Sequence, residues 1–148
     1  MALLDRISAK VVKVPLTSTT KEGVIRELVS LLVDAGTIAD AAASAEAVLA
    51  REALGSTGLE HGIAVPHAKT SSVADLTVAI GISPKGVSFA ALDGQPSHVF
   101  FLLLAPPDKS GPHIEALAEI ARLTRSPSFV RVLRTAANAD EVISIFRE

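Results

Sequence analysis

Cysteine is absent from the 148 residues, which excludes disulfide bridges, zinc sites built on thiolates and any thiolate nucleophile. Tryptophan and tyrosine are absent as well, and the five phenylalanines lie mostly inside apolar runs, so the chain offers little surface on which sugars or bases stack. Long hydrophobic runs are missing too. Hydrophobic residues make up 49% and the mean hydropathy is +0.42, yet no run reaches the ~20 residues that cross a bilayer. A soluble protein with no membrane insertion is expected. Charge of one sign is lacking: 14 basic and 16 acidic side chains are interspersed for a formal net charge of -2, without the basic footprint of a nucleic-acid binder. The start, Met1 to Arg6, has an early acid at Asp5 and no apolar core leading to a small-residue cleavage site, so it does not read as a signal peptide. A cytoplasmic location is the default. Among nucleophiles, histidine is left in the lead.

The length suits a single domain over residues 1–148. Val11, Val12 and Val14 suggest a short strand over 10 to 15, ended or held at an edge by Pro15. Thr19-x-x-Glu22 reads as a capping box for a helix over 20 to 35, with Val24, Leu28, Leu31 and Leu32 at helical spacing and Gly36 as its stop. Asp40 caps an Ala-rich helix over 41 to 54, whose apolar face is read as Ala43, Ala47, Ala50 and Leu54. Strands are expected over 63 to 65 and over 76 to 82, the second bounded by Pro84, with a small edge strand over 86 to 89. Asp93-Gly94 marks a tight turn, and the uniformly apolar 98 to 105 predicts a central strand covered on both faces. Pro112 suits the first turn of a helix with a stripe of Ile114, Leu117, Ala118 and Ala121, which places His113 at its N-terminus. Packing helices follow from Ser126-Pro127 and after Asn138. Central strands with covering helices argue for a three-layer α/β sandwich.

The segment Gly62-Ile63-Ala64-Val65-Pro66-His67-Ala68-Lys69 carries the chemistry. Pro66 halts an apolar run and biases Val65 towards an extended backbone, so His67 falls where a buried strand meets a loop. An imidazole there can serve as nucleophile, base or metal ligand. Gly55-Ser56-Thr57-Gly58 is a turn that brings backbone close to an anion. It has neither the GxxxxGK[ST] spacing of a nucleotide P-loop nor the GxGxxG of a dinucleotide fold, so no nucleotide cofactor is indicated.

GIAVPH after the Gly-rich turn, with Arg51-Glu52 upstream and a second histidine at 113, resembles the fructose, mannitol and nitrogen-regulatory type of phosphotransferase-system enzyme IIA over nearly the whole chain. The resemblance implies a mixed central β-sheet flanked by helices on both faces. It also implies that His67 is the nucleophile that becomes a tele-phosphohistidine, and that Arg51 and His113 occupy the active centre and stabilise the phosphoryl group. No cofactor is implied. The implied partners are the phosphorylated small carrier HPr or a paralogue as donor, and an enzyme IIB domain of a fructose-type sugar transporter as acceptor. In the regulatory branch, partners that sense the phosphorylation state replace the transporter. GSTGLEHGIAVPHAK and FAALDGQP are closer to the fructose and nitrogen branches than to the mannitol branch.

Plainer readings stand beside these. His67 can be a strand-end histidine paired with a carbonyl, Arg51 an ordinary helix arginine, although Val48 and Ala47 leave it no acid in pairing register, and His113 a simple cap. Ser56, Thr57 and Lys69 are second-tier candidates: two turn formers and a lysine placed to steer an acidic or phosphorylated partner. His61 and His98 are weaker still. A metal hydrolase built on His61, His67 and His113 has little support, since neither HExxH nor a carboxylate-histidine cluster occurs and no metal site is expected. The surroundings of His67 should form a shallow, largely apolar depression with a polar rim.

Overall fold

A computed structural model of the chain describes residues 3 to 147. Its sheet is organised on β5 (Ser97–Ala105). Strand β4 (Thr77–Val87) runs antiparallel along one side of β5, and β1 (Val12–Lys13) lies parallel to β4 at the outer edge. Along the other side, β2 (Ile63–Ala64) and β3 (His67–Lys69) lie end to end, both parallel to β5. The sheet is therefore mixed, and the uniformly apolar stretch read from the sequence is its centre.

Alternation along the strands divides the core in two. Val78, Ile80 and Ile82 with Val99, Phe101 and Leu103 face one way, against α3 (Ser110–Leu123), α4 (Pro127–Arg134) and α5 (Ala139–Arg147). Ala79, Phe100, Leu102 and Leu104 face the other way, against α1 (Lys21–Asp34) and α2 (Ala41–Leu54). Both faces are covered, as a strand without polar residues requires. The three-layer α/β sandwich follows from that pattern.

The capping residues are local and mostly as the sequence indicates. The Asp40 carboxylate accepts from the Ala43 N–H at 2.9 Å, and the Ser126 hydroxyl accepts from the Phe129 N–H at 3.3 Å. The start of α1 differs. Thr20, not Thr19, is the cap, accepting from the Gly23 N–H at 3.1 Å, while Glu22 pairs with Arg26. The Glu27 carboxylate takes the N–H groups of Thr17 and Ser18, which ties the entering chain to the helix and leaves Thr20 at its mouth.

Three further expectations are corrected. Strand β4 does not stop before Pro84 but continues to Val87, absorbing the segment expected as a separate edge strand. A register shift between Ile82 and Val87 throws Pro84 and Lys85 outward, where a residue without an N–H breaks no ladder bond. Helix α2 buries Ser44, Ala45, Val48 and Glu52 instead of the predicted stripe, leaving Ala50 and Leu54 exposed. Helix α3 buries His113, Ala116, Glu119 and Ile120, and exposes Ile114, Ala118 and Ala121. In both helices the buried face carries polar side chains that a search for apolar periodicity passes over.

Candidate functional site

His67 opens β3, opposite Leu103 of β5. Between β2 and β3 the chain bends at Val65-Pro66, where the Pro66 carbonyl still accepts from the Leu103 N–H at 3.0 Å, so the proline keeps its place on the sheet. The half-buried His67 ring turns back on its own backbone: Nδ1 lies 2.7 Å from the Val65 carbonyl oxygen. A carbonyl can only accept, so Nδ1 carries the proton and Nε2 carries the lone pair. The plain expectation of a carbonyl-bound histidine is thus correct for one nitrogen, and it is what leaves the other free to react.

His113, in the first turns of α3, faces His67 with ring centroids 5.6 Å apart. It is buried, and its Nδ1 has no hydrogen-bond partner. Burial lowers its pKa below the ordinary histidine value, and the charges of His67 and Lys69 push the same way. Lys69 reaches across to the same helix, donating from Nζ to the Ser110 hydroxyl at 2.8 Å.

Arg51 lies in the last turn of α2 and donates from Nη1 to the Gly55 carbonyl at 2.9 Å. It has no carboxylate partner among the described residues. The next residue does the opposite. Glu52 turns inward, accepts from the Thr57 N–H at 3.2 Å and from the Thr57 hydroxyl, and pairs with Lys21 Nζ at 2.6 Å. Lys21 also sits 4.7 Å from the centre of the Phe89 ring. Ser56 donates to the Phe89 carbonyl at 2.7 Å and accepts from the Gly58 N–H at 3.0 Å. The Gly55–Gly58 turn is therefore anchored from both sides, with the hydroxyls of Ser56 and Thr57 spent on holding it.

His67 and Arg51 share one shallow depression of about 230 Å³, walled by Thr57, Leu59, Val65 and Leu117. It runs into a second hollow of about 440 Å³ that adds His113, Lys69, Ala47, Ala50 and Leu54. The helix stripe assigned to the core in the sequence reading thus forms an apolar rim around the imidazoles. The structure brings His67, Arg51, His113 and Lys69 together, with Ser56 and Thr57 at the border. His61 and His98 are not there; they line a separate groove with Gly62. Among the described residues no three His, Cys, Asp or Glu side chains are placed to hold a metal ion. Glu52 enters the sequence reading only beside Arg51, with no role, and Ser110 not at all, because a carboxylate's burial and a lysine's hydroxyl partner are set by contacts distant in sequence.

The arrangement offers a nucleophilic Nε2 at an open surface, a guanidinium without an acid, and a second neutral imidazole beside them. It can accept an electrophilic, multiply charged oxyanion group from a docked partner. Among the described residues no helix is long and apolar enough to cross a membrane.

Comparison with known proteins identifies the family and the fold. Residues 6–148 match the family model described as phosphoenolpyruvate-dependent sugar phosphotransferase system, EIIA 2. The chain is 37% identical over 148 residues to the fructose-specific EIIABC component of Bacillus subtilis, aligning along its whole length but spanning only 23% of that relative. It is 41% identical over 103 residues to the fructose-specific EIIA component of Haloferax volcanii, covering 70% of this chain and 67% of the relative. The crystal structure of the nitrogen regulatory protein IIA-Ntr from Neisseria meningitidis superposes with a TM-score of 0.88 at 31% identity, covering 96% of this chain and 97% of that one. The mixed sheet between two helical layers is the fold of these proteins, and the chain belongs to the EIIA type 2 family of phosphotransferase-system phosphotransfer components.

Proposed function

We propose that residues 1–148 act as one EIIA domain and carry a phosphoryl group on His67 Nε2, accepted from phosphorylated HPr or a paralogue and passed to the enzyme IIB of a fructose-type sugar transporter. The observation that carries the reading is the Nδ1–H bond of His67 to the Val65 carbonyl, which presents the Nε2 lone pair in a depression shared with Arg51. In the first step the Nε2 lone pair forms a bond to phosphorus as the donor's phosphorus–nitrogen bond breaks, and the electron pair returns to the donor imidazole. The second step is the same exchange with the acceptor. Little other covalent chemistry is needed, so the protein's part is positioning and charge stabilisation. Arg51 supplies a planar fork of donors for the phosphoryl oxygens, His113 a second polar contact, and Lys69 a charge that draws in the donor. The site opens to the surface in the cytoplasm and holds no sugar; its apolar rim receives the partner's histidine.

A second reading, a nitrogen-regulatory IIA protein whose phosphorylation state governs binding to regulatory partners, is favoured by the near-complete mutual coverage with the Neisseria protein. Pull-downs with phosphorylated and unmodified protein separate the two: a partner outside transport retained by one form alone supports regulation, and label passed to an IIB supports the carrier.

The test of the site is a time course of acid-labile labelling from phosphorylated HPr. His67→Ala should take up no label while remaining folded by circular dichroism. Arg51→Ala and His113→Ala keep the attacking nitrogen and lose a stabilising donor, so both should label ~10² to 10³ times more slowly. Normal labelling of folded His67→Ala, or label mapped to His113, overturns the assignment.

A further inference from the structure

A separate groove of about 430 Å³ opens where the loop before β2, the β4–β5 connection and the start of α4 meet. It shares no residue with the His67 depression. Inside it stands His98, whose Nδ1 lies 2.9 Å from the Ser83 carbonyl oxygen and so donates, leaving the lone pair on Nε2. The ring is gripped by backbone. Gly62 and Gly86 lie against it at φ +80 and +83, and a Cβ would come within 3.4 Å of Cδ2 at Gly62 and 2.8 Å of Cε1 at Gly86. Only glycine allows this approach at these angles. The imidazole is therefore fixed in orientation before anything binds.

The charged groups over this ring are two arginines and one carboxylate. Arg131 and Arg134 line the groove from α4, and neither makes an ion pair or side-chain hydrogen bond among the described residues. Asp93 is the one carboxylate in the lining, and both its oxygens are engaged within the loops: Oδ1 accepts from the Gln95 N–H at 3.0 Å, Oδ2 from the His61 N–H at 3.1 Å. That second bond holds His61 at φ 62, in the left-handed region that a histidine rarely occupies. Glu60 lies 3.7 Å from His61 Nε2, outside the lining. Arginines on the solvent side of a short amphipathic helix are ordinary alone. Here they overhang a cavity with an oriented imidazole inside it, and the one lining carboxylate, Asp93, forms an ion pair with neither of them, which leaves the lining with an excess of positive charge.

We propose that this groove binds a small phosphomonoester, a phosphorylated metabolite of about hexose-phosphate size. The two guanidinium groups take the phosphate, as Arg does through its planar set of donors, and His98 Nε2 accepts a hydrogen bond from a hydroxyl of the ligand. The volume is at the lower end of the ~300 to 1,000 Å³ of small-molecule sites. The site works without His67 and is independent of phosphoryl transfer.

Titration calorimetry and amide NMR test it with glucose 6-phosphate, glycerol 3-phosphate, inorganic phosphate and glucose on the intact protein. At least one of the two esters should bind with a Kd below ~1 mM, ~10-fold tighter than inorganic phosphate, and glucose should not bind. Shifts should centre on His61, Gly62 and His98. The double variant Arg131→Gln/Arg134→Gln, at exposed positions, should stay folded and lose ~10-fold or more in affinity, while His67→Ala should bind as the parent does. No saturation by either ester up to ~10 mM, equal affinity for inorganic phosphate, or unchanged binding in the double variant would each overturn the proposal.

Discussion

At the residue scale, the two histidines of the site are prepared by opposite means. His67 has a fixed proton on Nδ1 because a carbonyl claims it, whereas His113 has a buried Nδ1 that nothing claims. A buried nitrogen without a partner is costly, and it persists here where the ring faces His67. Since burial lowers the His113 pKa, with His67 and Lys69 adding to it, its ring resonances should titrate below the ordinary histidine value of 6.5. The unfolded chain then takes up the proton first, so the stability tied to neutral His113 is present above about 6.5 and is lost as pH falls through the folded value. An NMR pH titration of the histidine rings measures this, and Lys69→Gln should move the His113 midpoint upward. A midpoint at or above 6.5 in the parent would remove the burial argument.

At the scale of elements, α2 and α3 present to solvent what their periodicity assigned to the core. Leu54 is 86% exposed and Ile114 63%, and Leu54 borders the hollow that contains His67 and His113. Leu54→Asp should therefore leave unfolding free energy within ~0.5 kcal/mol of the parent, because so exposed a side chain contributes little to the fold. If the rim docks the phosphoryl donor, the same change should raise the KM for phosphorylated HPr by ~10-fold, the effect of losing an apolar anchor at an interface. Steady-state labelling against donor concentration reads this; a variant that unfolds early, or one with an unaltered KM, would count against the rim. The misassignment has a physical origin. In Ala41–Leu54 apolar residues lie on nearly every side, so spacing alone cannot choose a face, and the choice is made by Glu52 turning inward to Lys21 and Thr57. In α3 the inward residues include His113 and Glu119, and the Glu119 carboxylate accepts from the Leu3 N–H at 3.1 Å, a contact across 116 residues that no local pattern encodes. By contrast β5 and the Asp40 cap were legible because each is decided locally, by composition or by one side chain, whereas His67, expected where a strand meets a loop, opens the short strand β3, whose pairing with β5 is non-local.

At the scale of the molecule, one carboxylate ties the edge of the sheet to the helical layer above it. Glu27 of α1 accepts from Lys13 Nζ on β1 at 2.8 Å and from the N–H groups of Thr17 and Ser18, both at 2.9 Å, in the loop that joins them. Its side chain is 8% exposed, and such burial opposes ionisation. The Lys13 contact and the two backbone bonds outweigh it and hold the pKa down at about 2, against 4.5 for an ordinary glutamate. A carboxyl depressed in the folded state stabilises the fold above its unfolded pKa, and that contribution is lost as pH falls from 4.5 through about 2. The shift corresponds to a linkage free energy on the order of 3 kcal/mol. Glu27→Gln should therefore lower the unfolding free energy by about that amount at pH 7 and narrow the gap from the parent as the acid limb is descended. The measurement is a set of urea transitions for both proteins at pH values between 7 and 2, with equal slopes required so that only the midpoint is compared. A variant that matches the parent at neutral pH, or a gap that stays constant down to pH about 2, would show that the edge strand is held to α1 by packing of Val11, Val12 and Leu16 and not by this carboxylate.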